Sequence, residues 1–398
     1  MQIPDIIHQI SEVCHQYKGT VYIVGGSVRD FFMQKEPKDW DLEVHNITGS
    51  QLNKALHSIG KSKRVGNSFS VFKLHVAGEE IDVALPQGDI GDDPNMGIVS
   101  ALRRRDLTIN SMAYDVQNNV LIDPFHGKKD IHDKVLRATD SQTFVEDPLR
   151  AFRVAQFASR YEMTIDPELI TLCHTLSLHN IAKERIQIEL HKLWIKSDTP
   201  SIGLLAIKKL NLYQYMPLWN KPTDPDILQA VDIYASQRHL HTYAQQLIIF
   251  WICALQHTPP KQILDFLLNL KIFSIEKVNI QEQVLSFLLH YPALFENPTD
   301  TNIRRFSEIM PLSFAVCIIK ILKSSTDPKT MHIEQRAHEL NLWNTSLPQL
   351  ISGAKLMSMG FVGKEIGSAL KAIRKLQIEG HIQSTQDAIE HLNRANRS

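Results

Sequence analysis

Over the first 140 residues, apolar and polar positions alternate in short runs. A helical pattern over residues 5–17 leads into the β-rich run Thr20–Val24, which stops at Gly25-Gly26. Residues 39–47 set Asp41, Glu43 and His45 against Leu42 and Val44, the period of a half-buried strand. Val71–Val76 and residues 80–85, separated by Ala77-Gly78-Glu79, predict a hairpin, and Val120–Ile122 before Asp123-Pro124 predicts another short strand. From about Asp140 the period becomes helical, as in Val154, Phe157, Ala158 and Tyr161. Polar, proline-bearing breaks at residues 197–201, 221–226, 258–260 and 297–300 cut the remainder into helices of ordinary length. No repeat of fixed period stands out. The pattern predicts a small α/β domain followed by a long all-helical region.

Composition narrows the class. A chain of 398 residues with 43% hydrophobic content has material for two to four domains and is too apolar to be disordered. Every apolar run is interrupted before the length of a membrane span, and residues 1–17 lack the features of a secretory signal. Four scattered cysteines (Cys14, Cys173, Cys253, Cys317), with no C-x-x-C, argue against a disulfide framework or a zinc site and lead us to expect a cytoplasmic protein. Lys plus Arg equals Asp plus Glu at 43 each, so bulk charge does not point to nucleic acid. Local basic patches remain at residues 103–105, 128–129 and 304–305, and residues 351–398 hold seven basic and four acidic side chains. Taken alone, each such patch reads as a solvated face.

The chemistry concentrates early. Val24-Gly25-Gly26-Ser27-Val28-Arg29-Asp30 stands at a strand end opening a helix, where glycines admit phosphate oxygens to the backbone and Arg29 can add a charge-assisted bond. A tight turn would require the same glycines. Asp39 and Asp41, one residue apart on a strand, face the same side, and neighbouring carboxylates suit Mg²⁺. Beside a phosphate loop this pair suggests metal-assisted attack on a nucleotide α-phosphate. Asp82 is a candidate third carboxylate or a solvent-facing strand residue. Arg103-Arg104-Arg105 cannot all share one face, and Arg105 next to Asp106 fits a ligand contact or a structural ion pair.

Glu146-Asp147-Pro148-Leu149-Arg150-Ala151-Phe152-Arg153 reads as a helix start, with Pro148 in the first turn, Asp147 near the cap, and Asp147, Arg150 and Arg153 along one side. That arrangement is a capped helix with solvated arginines, or a base reader. Cytosine and adenine each present an amine donor beside a ring-nitrogen acceptor. A carboxylate and a guanidinium match that pattern and leave uracil and guanine unpaired.

These strings, VGGSVRD (24–30), DWDLEV (39–44), RRRDLTINSMAYD (103–115), DPFHGKKDI (123–131), EDPLRAFRVAQFASRY (146–161) and ERIQIEL (184–190), with a tail over residues 351–382, resemble the bacterial class II tRNA nucleotidyltransferase (CCA-adding enzyme) and poly(A) polymerase family. The resemblance covers nearly the whole chain. It implies an α+β nucleotidyltransferase head of the DNA polymerase beta type at residues 1–139, followed by an all-α neck (140–197), body (198–330) and tail (331–398), the tail being a tRNA-binding candidate. It implies that Asp39 and Asp41 are the catalytic carboxylates and hold Mg²⁺, and that Gly25, Gly26 and Arg29 take the triphosphate. Arg105 would contact the nucleotide, and Asp147, Arg150 and Arg153 would serve as the protein template.

The implied activity is Mg²⁺-dependent addition of CCA to tRNA 3′ ends from CTP and ATP, with release of pyrophosphate and no membrane partner. CC addition and poly(A) synthesis share the same motifs, and a silent RNA-binding protein on this fold is the alternative outside enzymology. Two departures stand out. The stretch 250–257 runs into Thr258 without the His-Asp doublet of hydrolase-bearing relatives, so no hydrolase activity is expected. The segment 88–103, with Gly88, Gly91 and Gly97, is short beside the family's flexible loop, which favours stopping after CC.

Overall fold

The computed structural model describes residues 2–37, 39–60, 62–65, 71–76, 78–178, 180–215, 223–272, 274–323 and 325–395. Helix α1 (Asp5–His15) repeats apolar residues at helical spacing, and Ile6, Ile7, Ile10 and Cys14 are buried. Strand β1 (Thr20–Val24) follows and ends where Gly25 takes φ of 65°, the turn into α2 (Gly26–Phe32). Next come β2 (Trp40–His45), α3 (Gly49–His57), β3 (Ser62–Val65), β4 (Val71–Val76), β5 (Glu79–Ala84), α4 (Ile98–Arg103), β6 (Ala113–Asp115), β7 (Val120–Ile122) and α5 (Gly127–His132).

The strands form one mixed sheet in the order β3-β4-β5-β2-β1-β6-β7. Strand β1 is antiparallel to both neighbours, whereas β2 and β5 are parallel, in a register that sets Asp41 directly opposite Asp82. Inward residues of the sheet, among them Val21, Ile23, Leu42, Val44, Phe72 and Val83, pack with α1 and α3 into one core. Alternation therefore leaves Asp41 and Glu43 on the other face, with Asp39 just ahead of the strand. The helical segments that follow begin with α6 (Ser141–Phe144), α7 (Arg150–Tyr161), α8 (Pro167–His174), α9 (Lys183–Lys196) and α10 (Pro200–Lys209).

The chain divides into two compact units, Met1–Tyr215 and Met216–Ser398. The second is helical, with α11 (Pro225–Gln237), α12 (Tyr243–Leu255), α13 (Pro260–Asn269), α14 (Ile280–Glu296), α15 (Asp300–Ser307), α16 (Leu312–Leu322), α17 (Pro328–Glu339), α18 (Gly353–Ser358), α19 (Lys364–Glu379) and α20 (Thr385–Ala395), apart from a short antiparallel ladder of Ser274–Ile275 with Val278–Asn279 between α13 and α14 that an all-α body did not predict. Its centre is α12, where every residue from Leu247 to Leu255 is buried. No helix among the described residues is long and apolar enough to cross a membrane. All four cysteines are free.

The predicted elements differ from the observed ones in instructive places. Strands β3 and β6 lack a clear alternating signature and gain their partners only in the sheet. The hairpin turn is tighter than expected because Glu79 joins β5, and Ala77 lies outside the described residues, as do residues 221 and 222 of a predicted break. Residues 88–103 are not a loop throughout. The Gly88 N–H donates to the Gly91 carbonyl (2.7 Å), Asp93 N donates to Pro86 O (2.8 Å), and the segment ends in α4. Helix α7 starts at Arg150, later than expected, because the Asp147 carboxylate accepts the Leu149 N–H (3.2 Å) and the preceding residues form a turn.

Candidate active site

The motif strings converge on one cleft of the first unit. A cavity of about 470 Å³ is lined by Gly25, Gly26, Arg29, Asp41, Arg105, Asp106, Asn110, Asp147, Leu149, Arg150, Arg153 and Arg185. All of the candidate nucleotide-binding residues are there. Asp39 is exposed just before β2 and is absent from that lining. A second cavity of about 560 Å³ shares Asp41, Arg105 and Arg150 with the first and adds Asp82, Gly88, Asp89, Arg104 and Glu146.

The glycine turn and the carboxylate strand are joined by one hydroxyl. Buried Ser27 donates to the Asp39 carbonyl (3.1 Å) and accepts the Asp41 N–H (3.1 Å). Gly25 is required twice over: its φ is positive, and a Cβ there would lie 2.6 Å from Arg105 Nη1. Burial in the cleft pushes the Asp41 carboxyl above its ordinary range. Arg105 and Arg29 oppose that shift, while Asp82 and Asp39 add to it. Asp82 is paired with Lys73 at 2.8 Å.

The three successive arginines go to three different places. Arg103 lies 3.5 Å from Asp140 and its guanidinium stands over the Phe125 ring. Arg104 pairs with Asp89 (2.8 Å) and lies 3.8 Å from Glu146. Arg105 bonds Glu43 (3.2 Å), whose other oxygen accepts from or pairs with His45 (2.9 Å). Burial alone would raise the Glu43 carboxyl, but His45 and Arg105 outweigh it and hold it low. The suggested Arg105–Asp106 ion pair is therefore not formed. Asp106 instead accepts from Arg153 Nε (2.7 Å), Asn110 Nδ2 (2.9 Å) and Leu107 N (2.9 Å).

That buried carboxylate anchors a chain of contacts. Asn110 Oδ1 accepts from Arg29 Nη1 at 2.6 Å, and Arg29 Nε and Nη2 donate to Asp30 Oδ1. Phe157 and Tyr161, stacked 5.7 Å apart on α7, back the Arg29 guanidinium at 5.4 and 4.9 Å. The DPFHGKKDI string supports the same region from below. Asp123 caps Gly127 N (2.7 Å), and buried Asp130 takes Thr108 Oγ1 (2.7 Å) and Arg137. Arg150 donates to the carbonyls of Thr143 (2.6 Å) and Arg104 (2.7 Å), which uses two of its five N–H groups.

Sequence reasoning missed Ser27, Glu43, Asn110 and Arg185 as site residues. Their roles depend on partners 12 to 81 residues away, and only Glu43, by alternation with Asp39 and Asp41, carried a local signal. The one close trio of potential metal ligands among the described residues lies elsewhere, in the second unit, where His257 Nε2 is 3.7 Å from Asp226 and 3.9 Å from Asp224. Thus the stretch that lacks a following Asp meets two aspartates at the start of α11.

The comparisons with known proteins agree with this architecture. Residues 21–137 match the poly A polymerase head domain. The CCA-adding enzyme of Blochmanniella floridana is 38% identical over 204 residues, 47% of this chain and 47% of that protein. The multifunctional CCA protein of Aromatoleum aromaticum is 31% identical over 258 residues, 59% of this chain and 61% of that protein. The chain thus spans about half to three fifths of the relatives it matches. Among solved structures, the Bacillus stearothermophilus CCA-adding enzyme in complex with CTP aligns over 99% of this chain and 100% of its own at a TM-score of 0.74 and 20% identity. The Thermotoga maritima CCA-adding enzyme complexed with tRNA aligns over 99% of this chain and 96% of its own at a TM-score of 0.63 and 18% identity. Residues 21–137 thus match the poly A polymerase head domain, and the chain as a whole has the fold seen in the CCA-adding enzyme structures.

Proposed function

We propose that the protein is a template-independent tRNA nucleotidyltransferase that adds C, C and A to tRNA 3′ ends from CTP and ATP and releases pyrophosphate. The observation that carries this reading is that Asp41 and Arg105 line both cavities of the cleft. A nucleotide in the first cavity and an RNA end in the second would meet at those two side chains. The neighbours solved with CTP, with ATP and with tRNA support the same choice of substrates.

The donor set fits a divalent cation. Asp41 and Asp82 face each other on neighbouring strands with Asp39 just ahead of β2, and burial first, then the charges of Asp82 and Asp39, raise the Asp41 carboxyl, a cost that bound Mg²⁺ would relieve. Asp39 and Asp41 would hold it, with Asp82 available once released by Lys73. Mg²⁺ held there would supply Lewis-acid activation of the RNA 3′-hydroxyl and neutralise charge on the phosphate. The chain's own groups do the rest. Gly25 and Gly26 admit the triphosphate, Arg29 and Arg105 meet its charge, and Asp147 accepts the base amine while Arg150 donates to the ring nitrogen. No nucleophilic side chain is needed.

Residues 1–139 serve in this reading as head, 140–197 as neck, 198–330 as body and 331–398 as tRNA-binding tail, in a cytoplasmic enzyme. A second reading, addition of CC only, is favoured by the shortness of the 88–103 segment, whose backbone-bonded turn leads into α4. The test offers the protein a tRNA ending in CC with ATP and Mg²⁺ only. Addition of one A supports the first reading. Failure to add it, alongside efficient CC addition to a tRNA lacking all three nucleotides, establishes the second.

A further inference from the structure

We infer that Arg185 is a positioning residue for base selection, acting through Asp147; the inference rests on the nucleotidyltransferase reading above. Asp147 lies three residues ahead of α7, in a turn, and its side chain is about a third exposed, so the helix alone does not fix its rotamer. Two bonds do. Asp147 Oδ1 accepts the Leu149 N–H at 3.2 Å, and Asp147 Oδ2 accepts from Arg185 Nη2 at 2.8 Å. One anchor on each oxygen sets the plane of the carboxylate and leaves one lone pair per oxygen free for a base amine.

Arg185 enters from the first turn of α9, whose N–H to Ala182 O bond (3.0 Å) starts that helix. Glu189, one turn further along α9, lies 4.0 Å from Arg153 of α7. Arg185 lines the nucleotide cavity with Asp147, Arg150 and Arg153, and its guanidinium pairs there with Asp147. A bare carboxylate in a turn can rotate and accept from water as readily as from a base. Pinned by Arg185, it presents an acceptor where cytosine and adenine carry an amine and where uracil and guanine carry a carbonyl oxygen. The guanidinium thereby acts on discrimination more than on binding strength.

The experiment measures kcat/KM for CTP and for UTP on tRNA lacking its 3′ end, and equilibrium binding of both nucleotides, with wild type, Arg185→Ala, Arg185→Lys, Asp147→Ala and the double variant Asp147→Ala/Arg185→Ala. A thermal unfolding curve for each checks the fold. Loss of one charge-assisted bond predicts that Arg185→Ala lowers the CTP:UTP ratio roughly tenfold or more. Arg185→Lys is expected to restore part of it, and Arg185→Ala is expected to add nothing in the Asp147→Ala background. An equal rise in KM for both nucleotides with an unchanged ratio would mean that Arg185 holds the nucleotide itself, and overturns the inference. So would additive effects in the double variant, or a fall in stability with the ratio intact. Wild type that incorporates neither nucleotide defeats the nucleotidyltransferase reading itself, a separate outcome.

Discussion

Replacing Asp106 with Asn tests whether the buried network behind Arg29 sets both stability and rate. The carboxylate is 7% exposed and takes three donors, from Arg153, Asn110 and Leu107. Burial alone would raise its pKa, but Arg153 and the hydrogen bonds outweigh burial and hold it below the ordinary aspartate range. An amide keeps the volume and one acceptor but turns an N–H₂ toward a donor. It removes a charge-assisted bond worth about 1.5–3 kcal/mol and leaves Arg153 with Glu189 at 4.0 Å as its remaining acid. Breaking a fully buried pair costs about 3–5 kcal/mol. Arg153 is a third exposed, so water screens part of that, and about 2–4 kcal/mol is expected.

That is a large share of a typical domain's stability. Hydrogen exchange of α7 peptides under urea isolates the first unit, and kcat/KM for CTP should fall about 10- to 100-fold as Asn110 releases Arg29. The sign with pH follows from the depressed folded pKa. The contribution is present above the ordinary aspartate range and lost as pH falls through the lower folded value. Asp106→Asn within 0.5 kcal/mol of wild type (about the spread of a neutral surface change), with unaltered turnover, refutes the reasoning.

Three further outcomes are expected. Gly25→Ala strains a positive φ by about 1–3 kcal/mol and pushes Arg105 off its place, so KM for nucleotide should rise; an unchanged KM contradicts the close approach. Burial pushes the His191 imidazole down to about 4, so unfolding stability should fall by roughly 3 kcal/mol between pH 6.5 and 4, and His191→Leu should flatten that slope; a wild-type curve already flat there would rule it out. In the tail, Arg374 is tied to Glu308 (2.7 Å) and to the Leu347 and Pro348 carbonyls. Arg374→Ala should therefore lower stability, while neutralising Lys364 and Lys371 should flatten the salt dependence of tRNA binding by about one contact each. Filter binding across a salt series separates the two effects, and a salt slope unchanged by the lysine variants denies them phosphate contact.

Much of the cleft was legible because its parts are local strings with local geometry. Thr20–Val24 and Val120–Ile122 form strands where their side chains predict them, and the breaks at 197–201, 258–260 and 297–300 separate helices. The alternation that puts Asp41 and Glu43 on one face needs nothing beyond strand period, whereas Asp39, expected on the same strand, lies just before it. What stayed hidden depends on partners distant in the chain. No local rule sends Asp106 to Arg153 rather than to adjacent Arg105, or reveals that Arg374 answers Glu308 across 66 residues instead of facing solvent. Glycines at 88, 91 and 97 suggested a free segment, yet backbone bonds to Pro86, Gly91 and Pro94 and the helix α4 organise it.

The account stands on nucleotide addition at Asp41, and one measurement reaches it directly. Wild type and Asp41→Asn are incubated with tRNA lacking its last three nucleotides, all four nucleoside triphosphates and Mg²⁺, and the 3′ ends are sequenced. Wild type should produce ends that stop at CCA, and Asp41→Asn, folded but without a carboxylate at the wall between the two cavities, should leave the tRNA unextended. Extended tails of A in wild type, or the same CCA ends from Asp41→Asn, would contradict it.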